Sequence, residues 1–255
     1  MILDVRFTPS AFASGPTLRD ATAVVIDVLR ASSTIIAALM AGAREVIPTD
    51  SVENAVAIAH RLGTDRTVLA GERNSLPIPG FQLGNSPASC NAATVAGRTV
   101  VMTTTNGTRA FQQTHGAHTV LCGALLNARA VAQRIAATGA GQRVVMLCAG
   151  SHGNFSMDDA LGAGAIVNEL LAIEGLNPKP LDSANAALQL FKQAEHNLAE
   201  ALQQGDHGTH LLAIGCQDDI RFCAQLNLDG APVPLFDGSQ LRIAADAAPQ
   251  SQLRF

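Results

Sequence analysis

The sequence predicts an α/β protein with a largely parallel or mixed sheet, on the basis of two observations. Short, continuous apolar runs rich in β-branched residues recur along the chain, and such runs are typical of strands covered on both faces. Each run leads through a polar or glycine-rich loop into a segment with helical character, which is the order expected of parallel strands joined by helices. Three of these strand-loop-helix units resemble one another, which suggests internal duplication.

The elements follow one another regularly up to a break at Asn177-Pro178-Lys179-Pro180. We expect Ser32-Ser33-Thr34 to cap the helix after the first strand and Gly42 to lie near its end. The predicted strands are residues 23–26, 45–48, 67–70, 99–102, 119–122 and 143–147. The predicted helices are residues 32–42, 51–63, 108–116, 127–138, a segment starting near 156, and a long helix over 182–204. One α/β catalytic domain over residues 1–255 accounts for this pattern, with sub-lobes over about 1–176 and 177–255.

Composition excludes several classes of protein. The chain has 255 residues, of which 47% are hydrophobic and 15% are charged, so it is not a disordered protein. Its 17 basic and 21 acidic residues argue against nucleic-acid binding, which depends on a positively charged surface. No apolar run approaches the ~18 residues that a membrane span needs. The 5 cysteines include no CxxC pair, which favours a reducing, cytoplasmic location.

Polar residues gather where the predicted strands end, and ligands of open α/β sheets bind at that edge. Arg30, Arg73 and Arg109 follow three different strands, and guanidinium groups bind phosphate, carboxylate or sulfonate. Carboxylates also follow these strands, and they suit a hard cation such as Mg²⁺. The glycine, serine and threonine residues beside them are typical of anion-binding helix starts. We therefore expect a site for a small anion at this edge.

Each of these signals also has a purely structural interpretation. Asp27 could cap the turn that follows its strand, and Ser156-x-x-Asp159 has the spacing of a capping box. Asn85-Ser86-Pro87 is an ordinary helix start, with serine before a proline in the first turn. Their shared location at one sheet edge is what favours function.

Three familiar phosphate chemistries do not fit the sequence. A Walker loop needs a Gly-Lys pair, and the chain has none. A thiol-dependent phosphatase needs an arginine six residues after its cysteine, but Asn154 holds that place after Cys148. A dehalogenase-type aspartyl-phosphate enzyme needs Asp-x-Asp, whereas this chain has Asp27-Val28-Leu29.

The polar motifs of the chain are residues 25–33 (VIDVLRASS), 71–73 (GER), 80–87 (GFQLGNSP), 103–108 (TTTNGT), 148–150 (CAG), 155–159 (FSMDD) and 219–223 (DIRFC) followed by Val233-Pro234. With these motifs the chain resembles, over nearly its whole length, the 2-phosphosulfolactate phosphatase family. The resemblance implies a three-layer α/β/α fold and Mg²⁺-dependent hydrolysis of (2R)-2-phospho-3-sulfolactate, in the coenzyme M branch. The chain departs from the family pattern at two places. Asp158-Asp159 stands where the family usually has Glu-Asp, and Gly162 stands where the family often has a cysteine.

From these observations we predict the site residues. The predicted catalytic residues are Asp27, Arg30, Glu72, Arg73 and Asp159, and the predicted Mg²⁺ ligands are Asp27, Glu72, Asp158 and Asp159. The residues predicted to bind the substrate and its phosphoryl group are Ser32, Ser33, Asn85, Ser86, Thr105, Asn106, Gly107, Thr108, Arg109, Cys148, Ala149 and Gly150. The attacking group stays open among water, Asp27 and Cys148. We also expect a homodimer, with a small anionic phosphomonoester as the substrate.

Two other functions remain as alternatives. An isochorismatase-like cysteine hydrolase would use Asp27 and Cys148, but it also needs a lysine near the thiol, and both lysines lie beyond residue 178. A non-catalytic protein that binds small anions would use the same loops. In that protein, however, the carboxylates would repel the anion unless a metal were present.

Overall fold

The computed structural model describes residues 1–14, 17–138 and 143–243, and these form an α/β fold built on a sheet of 11 strands. In chain order the strands are β1 (Ile2–Arg6), β2 (Thr22–Ile26), β3 (Glu45–Thr49), β4 (Thr67–Arg73), β5 (Leu76–Pro77), β6 (Thr99–Thr103), β7 (Thr119–Gly123), β8 (Arg143–Cys148), β9 (Lys179–Pro180), β10 (Pro234–Phe236) and β11 (Leu241–Ile243). Their order across the sheet is β5-β4-β6-β3-β11-β10-β7-β2-β8-β1-β9. The predicted α/β class is thereby confirmed.

The helices connect these strands and then form a cluster near the carboxyl end of the chain. They are α1 (Pro9–Ser14), α2 (Ala31–Met40), α3 (Val52–Leu62), α4 (Ala92–Val95), α5 (Gly107–Gln112), α6 (Ala128–Ala137), α7 (Met157–Ala172), α8 (Asp182–Ala194), α9 (Leu198–Gln204), α10 (Asp206–Ala213) and α11 (Gln217–Cys223). Two short 3₁₀ turns occupy Pro87–Ser89 and Leu125–Asn127.

The sheet is mostly parallel, with antiparallel pairs at two places. Strands β4, β6 and β3 form one parallel group, and β7, β2, β8, β1 and β9 form a second. The antiparallel hairpin of β10 and β11 joins the two groups, pairing with β7 on one side and with β3 on the other. Strand β5 turns back antiparallel on β4, which makes a hairpin near the sheet edge.

Helices cover both faces of the sheet because the central strands are apolar on both sides. On β2, Val24 and Ile26 belong to one buried cluster, which also contains Ile166 of α7. Ala23 and Val25 belong to a second cluster on the opposite face, together with residues of α2 and α5. A strand buried on both faces is typical of a three-layer arrangement, and it places the strand ends under the loops that follow them.

The structure confirms the six predicted strands and corrects two helix predictions. The prediction that Ser32, Ser33 or Thr34 caps helix α2 is wrong, because the helix begins at Ala31 and these residues lie inside it. The amide of Ala31, in the first turn, donates to the Asp27 carboxylate instead. The single helix predicted over 182–204 is wrong. It is divided into α8 and α9, and Asn197 caps the second helix through a bond from the Glu200 amide. Within the described residues, no helix is long and apolar enough to cross a membrane.

Candidate active site

A cavity of about 290 Å³ opens where β2, β4 and β6 end, beneath helix α10. The described residues that line it are Asp27, Leu29, Arg30, Glu72, Asn74, Ser75, Asn85, Thr104, Thr105, Asn106, Ser151, His152, Asp206, His207 and His210. Six of the predicted site residues are among them: Asp27, Arg30, Glu72, Asn85, Thr105 and Asn106. The sheet edge predicted to hold the site therefore does enclose a polar cavity.

Asp27 lies at the floor of this cavity, directly after β2. Its Oδ1 atom accepts a hydrogen bond from the Ala31 amide at 2.9 Å, which anchors the carboxylate to the start of α2. Its Oδ2 atom lies so close to Gly107 that a Cβ added there would be 2.5 Å away. The pKa of Asp27 is raised to about 7, chiefly by burial and also by the neighbouring Asp158 and Glu72 carboxylates, while the hydrogen bond from the Ala31 amide lowers it. A cation near Asp27 would offset this cost.

Glu72, at the end of β4, is fixed by two backbone amides. Its Oε2 atom accepts from the Ser75 amide at 2.8 Å, and its Oε1 atom accepts from the Thr105 amide at 2.7 Å. The β4–β5 hairpin and the loop after β6 are therefore joined through one carboxylate. Arg73 points elsewhere: it donates to the Glu72 carbonyl and to the Thr103 hydroxyl, and it does not line the cavity.

Asp158 and Asp159 begin helix α7, and both are buried beside the loop that carries Asp27. The Asp159 carboxylate accepts from the Val28 amide at 2.9 Å and from the Gly150 amide at 2.8 Å. The Asp158 carboxylate accepts from the Leu29 amide at 2.9 Å and from the Ser156 hydroxyl. Burial, with Asp158 and Asp27 nearby, raises the pKa of Asp159 well above its usual value. These side chains hold two loops together, and the capping box proposed for Ser156 and Asp159 is not formed.

Arg30 is engaged in a buried ion pair with Asp219 of α11. Its Nη1 atom lies 2.7 Å from the Asp219 Oδ2 atom, and the two side chains are 4% and 6% exposed. Its Nη2 atom donates to the Ser75 carbonyl at 2.9 Å, and the other Asp219 oxygen accepts from the Ser86 hydroxyl. The guanidinium therefore ties three segments together at the cavity wall, and much of its donor capacity is used within the protein.

The cavity oxygens fit a magnesium ion that also binds water and substrate. Within the described residues, no three histidine, cysteine or acidic side chains form a preformed metal cluster. Mg²⁺, however, is commonly held by one or two carboxylates together with substrate phosphates and water. Asp27 and Glu72 supply two carboxylates, and the Oδ1 atom of Asn85 is a buried oxygen without a hydrogen-bond partner. Contact of Asp158 or Asp159 with a metal stays a prediction.

Comparison with known proteins identifies the family. The model of the 2-phosphosulpholactate phosphatase family matches residues 7–237. This chain belongs to that family. A probable 2-phosphosulfolactate phosphatase of Caldanaerobacter subterraneus is 42% identical over 206 residues, covering 81% of this chain and 84% of the relative. Another, of Deinococcus radiodurans, is 39% identical over 234 residues, covering 91% of this chain and 92% of the relative.

Membership of the 2-phosphosulfolactate phosphatase family makes the chain a phosphoric monoester hydrolase. The alternative of a cysteine hydrolase also lacks support from the structure around Cys148. Cys148 is fully buried at the end of β8 and does not line the cavity. Burial, with Asp159 and Asp158 nearby, raises the pKa of its thiol well above the usual value, so the thiolate that such chemistry needs is disfavoured. Gly162, the second departure from the family pattern, packs against Val28; a Cβ there would lie 2.6 Å from the Val28 Cγ2 atom.

Several predicted residues support the cavity without lining it. Ser32 accepts from the Asp27 amide, and Ser33 donates to the Val28 carbonyl, so both shape the loop after β2. Arg109 is exposed and lines a neighbouring cavity of about 360 Å³, which shares Thr105, Asn106 and His152 with the Asp27 cavity. The predicted residues outside the main cavity, among those the structure describes, are Arg73, Asp158, Asp159, Ser32, Ser33, Ser86, Gly107, Thr108, Arg109, Cys148, Ala149 and Gly150.

Sequence reasoning missed the wall formed by the carboxyl-terminal helices. His207 and His210 line the cavity from α10, and neither is among the predicted site residues. Asp219, which pairs with Arg30, also lay outside the prediction. The two histidines are three residues apart, which places them on one face of a helix, and this spacing was the available signal. No local pattern linked that helix face to the strand ends.

Proposed function

We propose that this chain hydrolyses (2R)-2-phospho-3-sulfolactate to (2R)-3-sulfolactate and phosphate, with Mg²⁺ as its cofactor. The observation that carries the proposal is the placement of the Asp27 and Glu72 carboxylates in one polar cavity of a member of this family. Relatives that bear the name probable 2-phosphosulfolactate phosphatase share about two fifths of their aligned residues with this chain. The product is the sulfolactate of the coenzyme M branch.

The protein's own contribution is to position charge. Asp27 and Glu72 are the residues that would hold Mg²⁺, which when bound neutralises phosphoryl oxygens as charge develops on them. Hydrogen bonds from Ala31 to Asp27, and from Ser75 and Thr105 to Glu72, fix both carboxylates before the substrate arrives. Preorganisation of this kind lowers the barrier, because the site does not have to reorganise during the reaction.

Water is the attacking group in this proposal. Cys148 lies outside the cavity, and one Asp27 oxygen is already bound by the Ala31 amide. The water oxygen forms a bond to phosphorus, the bond from phosphorus to the ester oxygen breaks, and the proton that the water gives up goes to that oxygen, so the products are the sulfolactate hydroxyl and phosphate. Asn85 and Thr105 each bring a buried oxygen without a hydrogen-bond partner, and these oxygens are suited to hold water or substrate hydroxyl groups.

The test is phosphate release from 2-phosphosulfolactate and from a panel of small phosphomonoesters, measured with Mg²⁺ and with EDTA. We expect turnover of 2-phosphosulfolactate with Mg²⁺ and its loss in EDTA, restored by added Mg²⁺. Equal turnover with and without EDTA would contradict the metal assignment. Preferred cleavage of another phosphomonoester would contradict the substrate assignment.

Three further expectations belong to the same proposal. We propose a homodimer, a cytoplasmic location and no binding of nucleic acid. The division of the long carboxyl-terminal helix removes one of the two reasons for expecting a dimer, so family resemblance alone supports it. Light scattering at the monomer mass over a wide concentration range would contradict it.

A further inference from the structure

The cavity has two chemically different walls. Asp27 and Glu72 form an acidic wall at the strand ends. Helix α10 forms another wall, where it presents Asp206, His207 and His210; the two histidines are three residues apart and therefore lie on the same face of the helix. Burial lowers the pKa of the His207 imidazole; Arg30 and His210 act in the same direction, whereas the Asp158 and Glu72 carboxylates act in the opposite one.

The two imidazoles have hydrogen-bonding capacity that the protein does not use. Among the described residues, no group forms a hydrogen bond with either imidazole. Arg30 differs, because its two terminal nitrogens are bound to Asp219 and to the Ser75 carbonyl. An anionic group that meets this wall would therefore find its free donors on His207 and His210.

We propose that His207 and His210 bind the sulfonate of the substrate and thereby determine specificity for it. The inference rests on the proposed function. The phosphoryl group must lie at Asp27 and Glu72, and the carboxylate is attached to the same carbon as the phosphate ester. The sulfonate is one bond farther from phosphorus, on a methylene arm, so it extends farther from the Asp27 and Glu72 carboxylates and in this proposal reaches the histidines of α10. Its three oxygens accept hydrogen bonds from two imidazoles one helical turn apart.

The direct test compares two substrates that differ in the sulfonate. A His207→Phe/His210→Phe double variant keeps the ring shape and removes the N–H donors. Its kcat/KM should be measured for 2-phosphosulfolactate and for 2-phospholactate, which has a hydrogen in place of the sulfonate. His196→Phe is the matched control, because the His196 side chain is 92% exposed and does not line this cavity. Far-UV circular dichroism and thermal melting check that each variant is folded.

We expect kcat/KM for 2-phosphosulfolactate to fall at least about tenfold in the double variant, mainly through KM, because two hydrogen bonds to a charged group are lost. The value for 2-phospholactate should change less than about twofold, since only uniform binding of the sulfonate is removed. Equal losses for both substrates, or no loss for either, would overturn the inference. The control should match the wild type for both substrates.

A binding measurement separates this inference from the proposed function. Calorimetric titration with 3-sulfolactate should show binding to the wild type and at least about tenfold weaker binding to the double variant. If the wild type cleaves neither phosphate ester, the proposed function is wrong and the titration alone decides the role of the histidines. Absent binding to the wild type, or equal affinity of the two proteins, would refute sulfonate recognition by α10.

Discussion

Removal of the Asp219 carboxylate should destabilise the protein by about 3–5 kcal/mol, because it leaves a guanidinium buried without its counter-charge. Arg30 and Asp219 are 4% and 6% exposed, and their closest atoms are 2.7 Å apart. Asp219 also accepts from the Ser86 hydroxyl, so Asp219→Ala removes partners from two segments. Asp219→Asn keeps much of the side-chain shape and removes the charge. Its free energy of unfolding should lie between those of the wild type and the alanine variant.

The neighbouring residue on the same helix provides a matched control. Asp218 pairs with Arg221 at 3.2 Å, but the two side chains are 86% and 62% exposed. Exposed pairs of this kind contribute less than about 1 kcal/mol, so Asp218→Ala should barely change stability. The two variants therefore make the same chemical change at adjacent positions and differ in burial.

Urea unfolding followed by far-UV circular dichroism is the suitable assay, because the chain contains neither tryptophan nor tyrosine for fluorescence. The expected result is a lower midpoint for Asp219→Ala, with an unchanged slope. A midpoint shift for Asp219→Ala no larger than that for Asp218→Ala would refute the view that the Arg30 pair is buried and closes the cavity wall.

Four further predictions concern residues in and around the candidate site. Gly107→Ala should cost about 1–3 kcal/mol in urea unfolding and lower kcat, because the new Cβ would lie 2.5 Å from the Asp27 Oδ2 atom; unchanged activity would contradict that contact. Cys148→Ser should keep measurable turnover, and complete loss in a folded variant would revive a thiol mechanism. Asp27→Asn should lower kcat/KM on the order of 100-fold, since one electrostatic contact with the reacting group is lost. In metal-free buffer the wild type, whose Asp27 pKa rises on folding from 3.8 to about 7, should lose stability as pH rises across that range. The Asp27→Asn variant should not lose stability over this pH range. The same dependence of melting temperature on pH in the two proteins would contradict this expectation.

The strands were predictable because their signal is local. A continuous apolar run such as residues 22–26 needs cover on both faces whatever surrounds it, and the structure provides that cover. The order of the strands has no such local signal. Five strands separate β2 from β4 in the sheet, yet Asp27 and Glu72 line one cavity. The β4–β5 hairpin reaches the loop after β2, where the Ser75 carbonyl accepts from Arg30.

The parts of the site that sequence reasoning missed depend on contacts between distant segments. Asp219 meets Arg30 across 189 positions of the chain. The motif around Asp219 matched the family pattern, but its role became visible only when α11 was placed against the loop after β2. His207 and His210 likewise have an ordinary helical spacing, and their importance depends on which wall α10 covers. Local patterns do not encode such placement.

Asp158 and Asp159 have a structural role in addition to the one predicted for them. The sequence offered a metal site or a capping box for this pair, and both interpretations place carboxylates at the start of a helix. In the structure their oxygens accept from the amides of Val28, Leu29 and Gly150, which are buried donors that need partners. The loop carrying Asp27 is thereby held against α7. Asp27 and Glu72, which line the cavity, match the way Mg²⁺ shares its coordination with water and phosphate, and contact of Asp158 or Asp159 with a metal stays a prediction.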